Sequence, residues 1–310
     1  MAENATSTTV SLLDNAASGG FECSRPIESF TVIVDVISLL INSFHLCIIS
    51  RLEALKGTQY RYVLINIVLA DIVNTTSMAT VYSCYDFFGI NFAYGEPKLR
   101  IPIMVMLFFS NYISFHVFVV ASMEKYLAIC KPFSYQSSVL VRSLPIYFIT
   151  VWLYVFSFCT AVSIIEGLDV IAGATDLEFV VFRTIVFAIA PNLLSGTLLI
   201  KVYRELRRMR SRSENSVEDD KTRAAMYLII IFTLEMIVFL LNSICVIALH
   251  YTGEAVICKI WNGFIKAPYT IFNTVIYGWR TQSYRQYVRR VLGCNGHRIG
   301  NAEGELPQPQ

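Results

Sequence analysis

Charge is scarce in this chain. Only 15% of its 310 residues are Asp, Glu, Lys or Arg, 55% are hydrophobic, and the mean hydropathy is +0.54. That balance excludes an ordinary soluble domain of this length. The four histidines stand apart at positions 45, 116, 250 and 297. No Ser, His and Asp set and no metal-ligand cluster stands out around them, so the chain is read as not an enzyme. An internal repeat of roughly 20 to 50 residues is missing, as is any low-complexity block. With no span visibly interrupted near its middle either, a secondary transporter is the weaker reading. The first 28 residues lack a basic stretch followed by an apolar core, so no cleaved signal peptide is expected.

What is present is apolar length. A helical bilayer crossing needs about 20 predominantly apolar residues. Such runs lie at roughly 29–50, 61–85, 102–129, 144–165, 179–203, 224–250 and 258–278. The sequence therefore predicts an all-α membrane protein, a seven-transmembrane helix bundle in the lipid bilayer. An N-terminal tail occupies 1–28, the bundle 29–278, and an amphipathic helix with a tail 279–310. In that last part Trp279, Tyr284, Tyr287, Val288 and Val291 alternate with basic and amide residues, which suits a helix lying on a membrane surface. Residues 204–221 mix Arg, Ser, Glu and Asp without an apolar period and read as a solvated loop.

Orientation follows from the bias of Lys and Arg towards cytosolic loops. An outside N-terminus collects on the cytosolic side Arg51, Lys56 and Arg61, then Lys125, Lys131 and Arg142, then the bases from Lys201 to Arg223 and from Arg280 to Arg298. These are most of the 25 in the chain. The expected location is the plasma membrane, multi-pass, with the C-terminus in the cytosol. Asn4-Ala5-Thr6 then forms an outer glycosylation sequon, and Cys294, just past the amphipathic helix, is a palmitoylation candidate or an unmodified tail cysteine.

Of eight cysteines, Cys47, Cys159 and Cys245 fall in spans and read as small apolar packing. Cys23, Cys84 and Cys258 can face the oxidising side. Three allow at most one bridge: Cys23 with Cys258 is preferred, and Cys84 is the rival partner.

Ionisable groups inside spans are costly and point to function by default. Asp71, Glu124, Glu235 and Lys266 are such groups. Asn42, Ser114 and Asn273 fall at depths similar to Asp71, so the four can cage either a sodium ion or a water network. Met123 to Phe133 places an acid, a base and a tyrosine where an apolar run meets basic loops, the pattern of a switch rather than an anchor.

The spans, Asn42, Asp71, Trp152, Pro191 and Asn273-Thr274-Val275-Ile276-Tyr277 before an amphipathic helix together resemble a rhodopsin-like (class A) G-protein-coupled receptor over about residues 30–293. The resemblance implies a cell-surface receptor that binds an extracellular ligand and activates a heterotrimeric G protein, with no nucleic-acid partner. Glu124-Lys125-Tyr126 matches the family's Asp-Arg-Tyr, whose basic residue alternates between its acidic neighbour and the G protein. Here Lys125 brings a point charge in place of a planar fork. Glu218 matches the acid that latches that base at rest, or else belongs to an acidic cluster balancing the loop's arginines. Pro132 and Phe133 match the loop position that enters a pocket on the G protein, though Phe133 can instead pack on the bilayer. Tyr277 joins Lys125 in flooring the cavity that outward movement of helix six opens.

Departures from the family are specific. Arg100 stands where most members carry a cysteine and the second outer loop has none, as in lipid and melanocortin-like receptors, which adds to the preference for Cys23 with Cys258. Glu235-Met236-Ile237-Val238 replaces Cys-Trp-x-Pro, and Thr274 replaces a proline, so helices six and seven should be straighter. The expected ligand pocket draws on Leu107, Asn111, Glu235, Asn242, Trp261 and Lys266. Leu107 occupies the place of the amine receptors' aspartate, which argues against an amine bound by that route. Glu235 and Lys266 form either a structural ion pair or a ligand-exchanging one. Lys266 also raises an opsin-like alternative with retinal as cofactor, but it lies seven residues before Asn273 where opsins have six, a turn of about 100°. A non-signalling seven-helix receptor is the remaining alternative. No Ser or Thr follows Ser283, which argues against arrestin recruitment through a phosphorylated tail and leaves Ser211, Ser213 and Ser216 in the third loop as the candidate phosphorylation sites.

Overall fold

The computed structural model describes residues 25–88, 97–167, 182–212, 220–252, 267–280 and 282–291, all of them helical or short links between helices. Helix α1 is Arg25–Arg51, α2 Gln59–Phe88, α3 Pro97–Cys130 and α4 Leu144–Gly167. A π-helical turn, Ile185–Ile189, leads into α5, Ala190–Arg212. Then follow α6, Asp220–Thr252, α7, Ala267–Arg280, and α8, Gln282–Val291. Five stretches are long and apolar enough to cross a membrane among the described residues: Ser29–Arg51, Gln59–Val81, Ile101–Cys130, Leu144–Ile165 and Phe182–Met209. The described apolar part of α6 is shorter, Ala225–Leu241.

Packing explains the pattern of burial. α1 lies on α2 and α7, α7 on α6, and α6 on α5, while α3 passes through the middle against α2, α4, α5 and α6. Ile113, Phe115, Val117, Phe118, Val120 and Ala121 of α3 are accordingly buried on nearly every side. At 34 residues α3 is about 50 Å long, more than a hydrocarbon core of about 30 Å, so it is long enough to cross with length to spare. α4 is one-sided: Leu144, Phe148, Val155 and Cys159 are buried, whereas Ile146, Ile149, Leu153 and Phe156 are exposed. A continuous apolar outer face of this kind is a liability in water and at home in lipid.

Four local features depart from or sharpen the sequence reading. The stretch 204–221 is not all loop: α5 continues to Arg212 and α6 begins at Asp220. Val202 and Leu206, four residues apart, are buried with Ile129 of α3 and Ala225 of α6, and this contact carries the helix through the arginines that mask its period. α7 includes Trp279 and Arg280, so the amphipathic helix starts at Gln282 rather than 279. Pro191 has no N–H to give, and its ring would clash with the carbonyl of Phe187 in a regular α-helix; the preceding turn is widened into the π-turn. α6 runs unbroken past Met236, which packs against the core.

Candidate functional site

The site begins with the way α3 ends. Pro132 disfavours helical backbone at Lys131, whose φ and ψ are −135° and 57°, and α3 stops at Cys130. Pro132 then opens a four-residue helical turn, Pro132–Tyr135, that folds back beneath α3. The Tyr135 hydroxyl donates to Oε1 of Glu124 at 2.7 Å. Lys125 Nζ lies 2.8 Å from the other carboxylate oxygen of Glu124. The same ammonium sits 4.3 Å over the ring of Tyr60, in the first turn of α2. Glu124 is 1% exposed and Lys125 5%.

This is a closed cluster made by α2, α3 and the link after α3. Two charges removed from solvent are tolerable together and strongly destabilising apart. Burial and the Glu124 charge push the Tyr135 hydroxyl well above its ordinary ionisation, so it remains a donor at any physiological pH. Tyr126, one residue on, faces α5, where Lys201 Nζ is 5.8 Å from its ring centre. Pro132 is exposed and Phe133 fully so beside the cluster.

A second polar feature escaped the sequence analysis. Thr31, Asp35, Ser38, Asn42 and His45 are each at most 2% exposed and recur every three or four residues, so they form one buried stripe down α1. Ser38 hydrogen-bonds Thr270 of α7, and the Thr274 hydroxyl donates to Asn42 Oδ1 at 3.0 Å. Asn42 Nδ2 donates to Ser38 at 3.3 Å. His45 Nδ1 and the Tyr284 hydroxyl of α8 are hydrogen-bonded at 2.9 Å. The three- and four-residue spacing signals the stripe, which adds Asp35 on α1 to Asp71 on α2 as a second buried carboxylate inside a span.

The residues foreseen for the sodium or water cage are buried on three helices: Asn42 on α1, Asp71 on α2 and Ser114 on α3. Asn42 is committed to the α1–α7 tie through one lone pair of its oxygen. Among the described residues no three His, Cys, Asp or Glu side chains gather as a metal site. Of the expected pocket, Leu107, Asn111 and Glu235 are half-buried, and Asn111 Nδ2 donates back to the Leu107 carbonyl at 2.7 Å. Trp152 Nε1 donates to Asn66 of α2 at 2.9 Å and its ring meets Phe109 edge-on, a packing role. Cys47, Cys130 and Cys159 are free thiols.

Asn4, Cys23, Glu218, Cys258, Trp261, Lys266 and Cys294 lie outside the described residues, as do the side chains of Asn242, Asn273 and Tyr277. The expected Lys125–Glu218 latch, Glu235–Lys266 pair and Cys23–Cys258 bridge each involve one or both partners from among these residues. No protein-family model and no curated protein matches this chain.

Proposed function

We propose that the chain is a seven-span plasma-membrane receptor of the rhodopsin-like kind, with its N-terminus outside, that couples an extracellular ligand to a heterotrimeric G protein. The observation that carries this reading is the buried Glu124–Lys125 pair clamped by Tyr135 and Tyr60 at the end of the longest apolar helix among the described residues. An anchor has no use for a paired charge that a loop tyrosine closes from below. A switch does, because Lys125 can exchange Glu124 for a partner outside the bundle when the helices move, a population shift between two packings.

In this reading Phe133 projects towards the G protein, and the helical extension of α5 through Arg207 and Arg208 supplies the basic rim around it. The Val202, Leu206 and Ala225 contact joins α5 to α6 where outward movement of α6 would have to break it. A sodium ion, if it is part of the resting state, would be held by Asp71 and Ser114 with the second lone pair of the Asn42 oxygen, and would supply a positive charge opposing the Asp71 carboxylate. No enzymatic role is proposed.

The test is a ligand screen on the protein in lipid nanodiscs, read as guanine-nucleotide exchange on a panel of purified G proteins. A ligand that accelerates exchange on at least one of them supports the proposal. Ligands that bind without changing exchange on any member would make the chain a non-signalling receptor.

A further inference from the structure

The link between α3 and α4, residues 131–143, consists of two short helical turns, Pro132–Tyr135 and Val139–Arg142, joined through Gln136, Ser137 and Ser138. One side of it is anchored in the bundle: Tyr135 holds Glu124, and Leu140 and Val141 are buried in the core. Ser134, Ser137 and Arg142 are exposed, while Ser138 is half-buried. The link carries two bases, Lys131 and Arg142, and no acid.

Arg142 spans the joint between the turns. Its Nε donates to the Gln136 carbonyl at 3.1 Å, which brings the guanidinium back beside Ser137. Among the described residues no carboxylate pairs with Arg142, so its terminal N–H groups remain for a second acceptor. Ser137 Oγ donates to the Ser134 carbonyl at 3.1 Å, an exposed bond that is easily given up to water. A phosphate brings about −1.5 to −2 charges at pH 7 and three acceptor oxygens, and opposite an arginine it forms charge-assisted hydrogen bonds that order a loop.

We infer that Ser137 is a phosphorylation site and that Arg142 is the residue that reads it. In the modification the Ser137 hydroxyl oxygen attacks the γ-phosphorus of a nucleoside triphosphate held by a protein serine kinase. The bond from that phosphorus to the bridging oxygen breaks, the diphosphate leaves, and the hydroxyl proton passes to the kinase's base. The phosphate then takes the terminal N–H groups of Arg142 while Nε stays on Gln136. This ties the two turns together on the solvent side, as Tyr135 ties the link to α3 on the other. The clasp holds Tyr135 against Glu124 and sets negative charge four residues from Phe133, so coupling falls. The inference rests on the receptor reading for the cytosolic side of the link and for the effect on coupling, whereas the response of the link itself is measured without any G protein.

The experiment has two arms on the full chain. Phosphopeptide mapping after expression in eukaryotic cells with phosphatases inhibited should find phosphate on Ser137. Phosphate confined to Ser134, Ser138 or the third loop would overturn the assignment. In nanodiscs, hydrogen exchange across residues 131–143 is compared with and without genetically encoded phosphoserine at position 137, in the natural, R142Q and R142K backgrounds. Phosphate should slow exchange about two- to fivefold in the natural chain, the range of a well-formed exposed charge pair. The slowing should vanish in R142Q and be smaller in R142K, which keeps the charge and loses the fork. Unchanged or faster exchange on phosphorylation would overturn the inference, and so would equal slowing in R142Q. Slowing that depends on Arg142, with nucleotide exchange on the G proteins unaltered, would leave the site standing and count against the receptor reading.

Discussion

The Tyr135 hydroxyl reaches Glu124 Oε1 at 2.7 Å across eleven residues of chain, and so ties the link after α3 to the charged pair at its end. Hydrogen bonds to charged groups contribute about 1.5–3 kcal/mol when well shielded, and partial exposure of Tyr135 brings this one towards about 1 kcal/mol. Tyr135→Phe keeps the ring and removes the donor. The expected outcome is a lower unfolding midpoint in detergent, with faster hydrogen exchange across residues 131–143 and little change in α1.

The Glu124–Lys125 pair makes a sharper prediction, because both side chains are almost fully withdrawn from solvent. Glu124→Ala strands Lys125 and should destabilise by about 3–5 kcal/mol. Glu124→Gln with Lys125→Met in one chain removes both charges and should recover most of that loss. A double-mutant cycle on thermal unfolding checks this, and additive losses would show that the two charges do not depend on each other.

Part of this site was legible in the residues and part was not. An acid and a base at the foot of an apolar run announce themselves, since nothing else makes them affordable there. Tyr60 and Tyr135 do not, because a tyrosine at a helix end equally suits a membrane interface. The α1 stripe at 31, 35, 38, 42 and 45 was present as a period, but its partners Thr270, Thr274 and Tyr284 lie more than 230 residues away by chain, a relation that no local pattern encodes. The extension of α5 was hidden for a different reason: the arginines after Val202 outnumber the buried Leu206, and only the neighbouring Ile129 and Ala225 reveal which face matters.

Thr274 stands where the resembled family carries proline, and here its hydroxyl holds Asn42. Thr274→Val leaves the Asn42 oxygen short of a buried donor and should cost about 1–3 kcal/mol. Thr274→Pro loses the hydroxyl and a backbone donor inside α7, and should cost about 3 kcal/mol or more. Unfolding midpoints of the two variants should fall in that order. A proline variant at least as stable as the natural chain would show that the α1–α7 tie contributes nothing.

Alkaline pH should loosen α8. Burial pushes the Tyr284 hydroxyl from its ordinary 10 up to about 12, so the folded state keeps this proton to higher pH than the unfolded chain. The contribution is complete below pH 10 and is lost as pH rises from 10 towards 12. Tyrosinate absorbance should show one late-ionising tyrosine fewer in Tyr284→Phe, with Tyr135 remaining late in both chains, and the same variant should lose the alkaline step in α8 protection from hydrogen exchange. Ionisation of Tyr284 near its ordinary 10 would contradict its burial between α8 and α1.

The most direct measurement of the central claim is basal guanine-nucleotide exchange on purified heterotrimers, comparing empty nanodiscs, the natural chain, Tyr135→Phe and Lys125→Met. A closed cluster that restrains coupling predicts exchange above the empty discs for at least one G protein, a severalfold rise when Tyr135 loses its hydroxyl, and a return to background when Lys125 loses its charge. Exchange at background for all three proteins with every G protein, or a Lys125→Met chain that couples as well as the natural one, would contradict it.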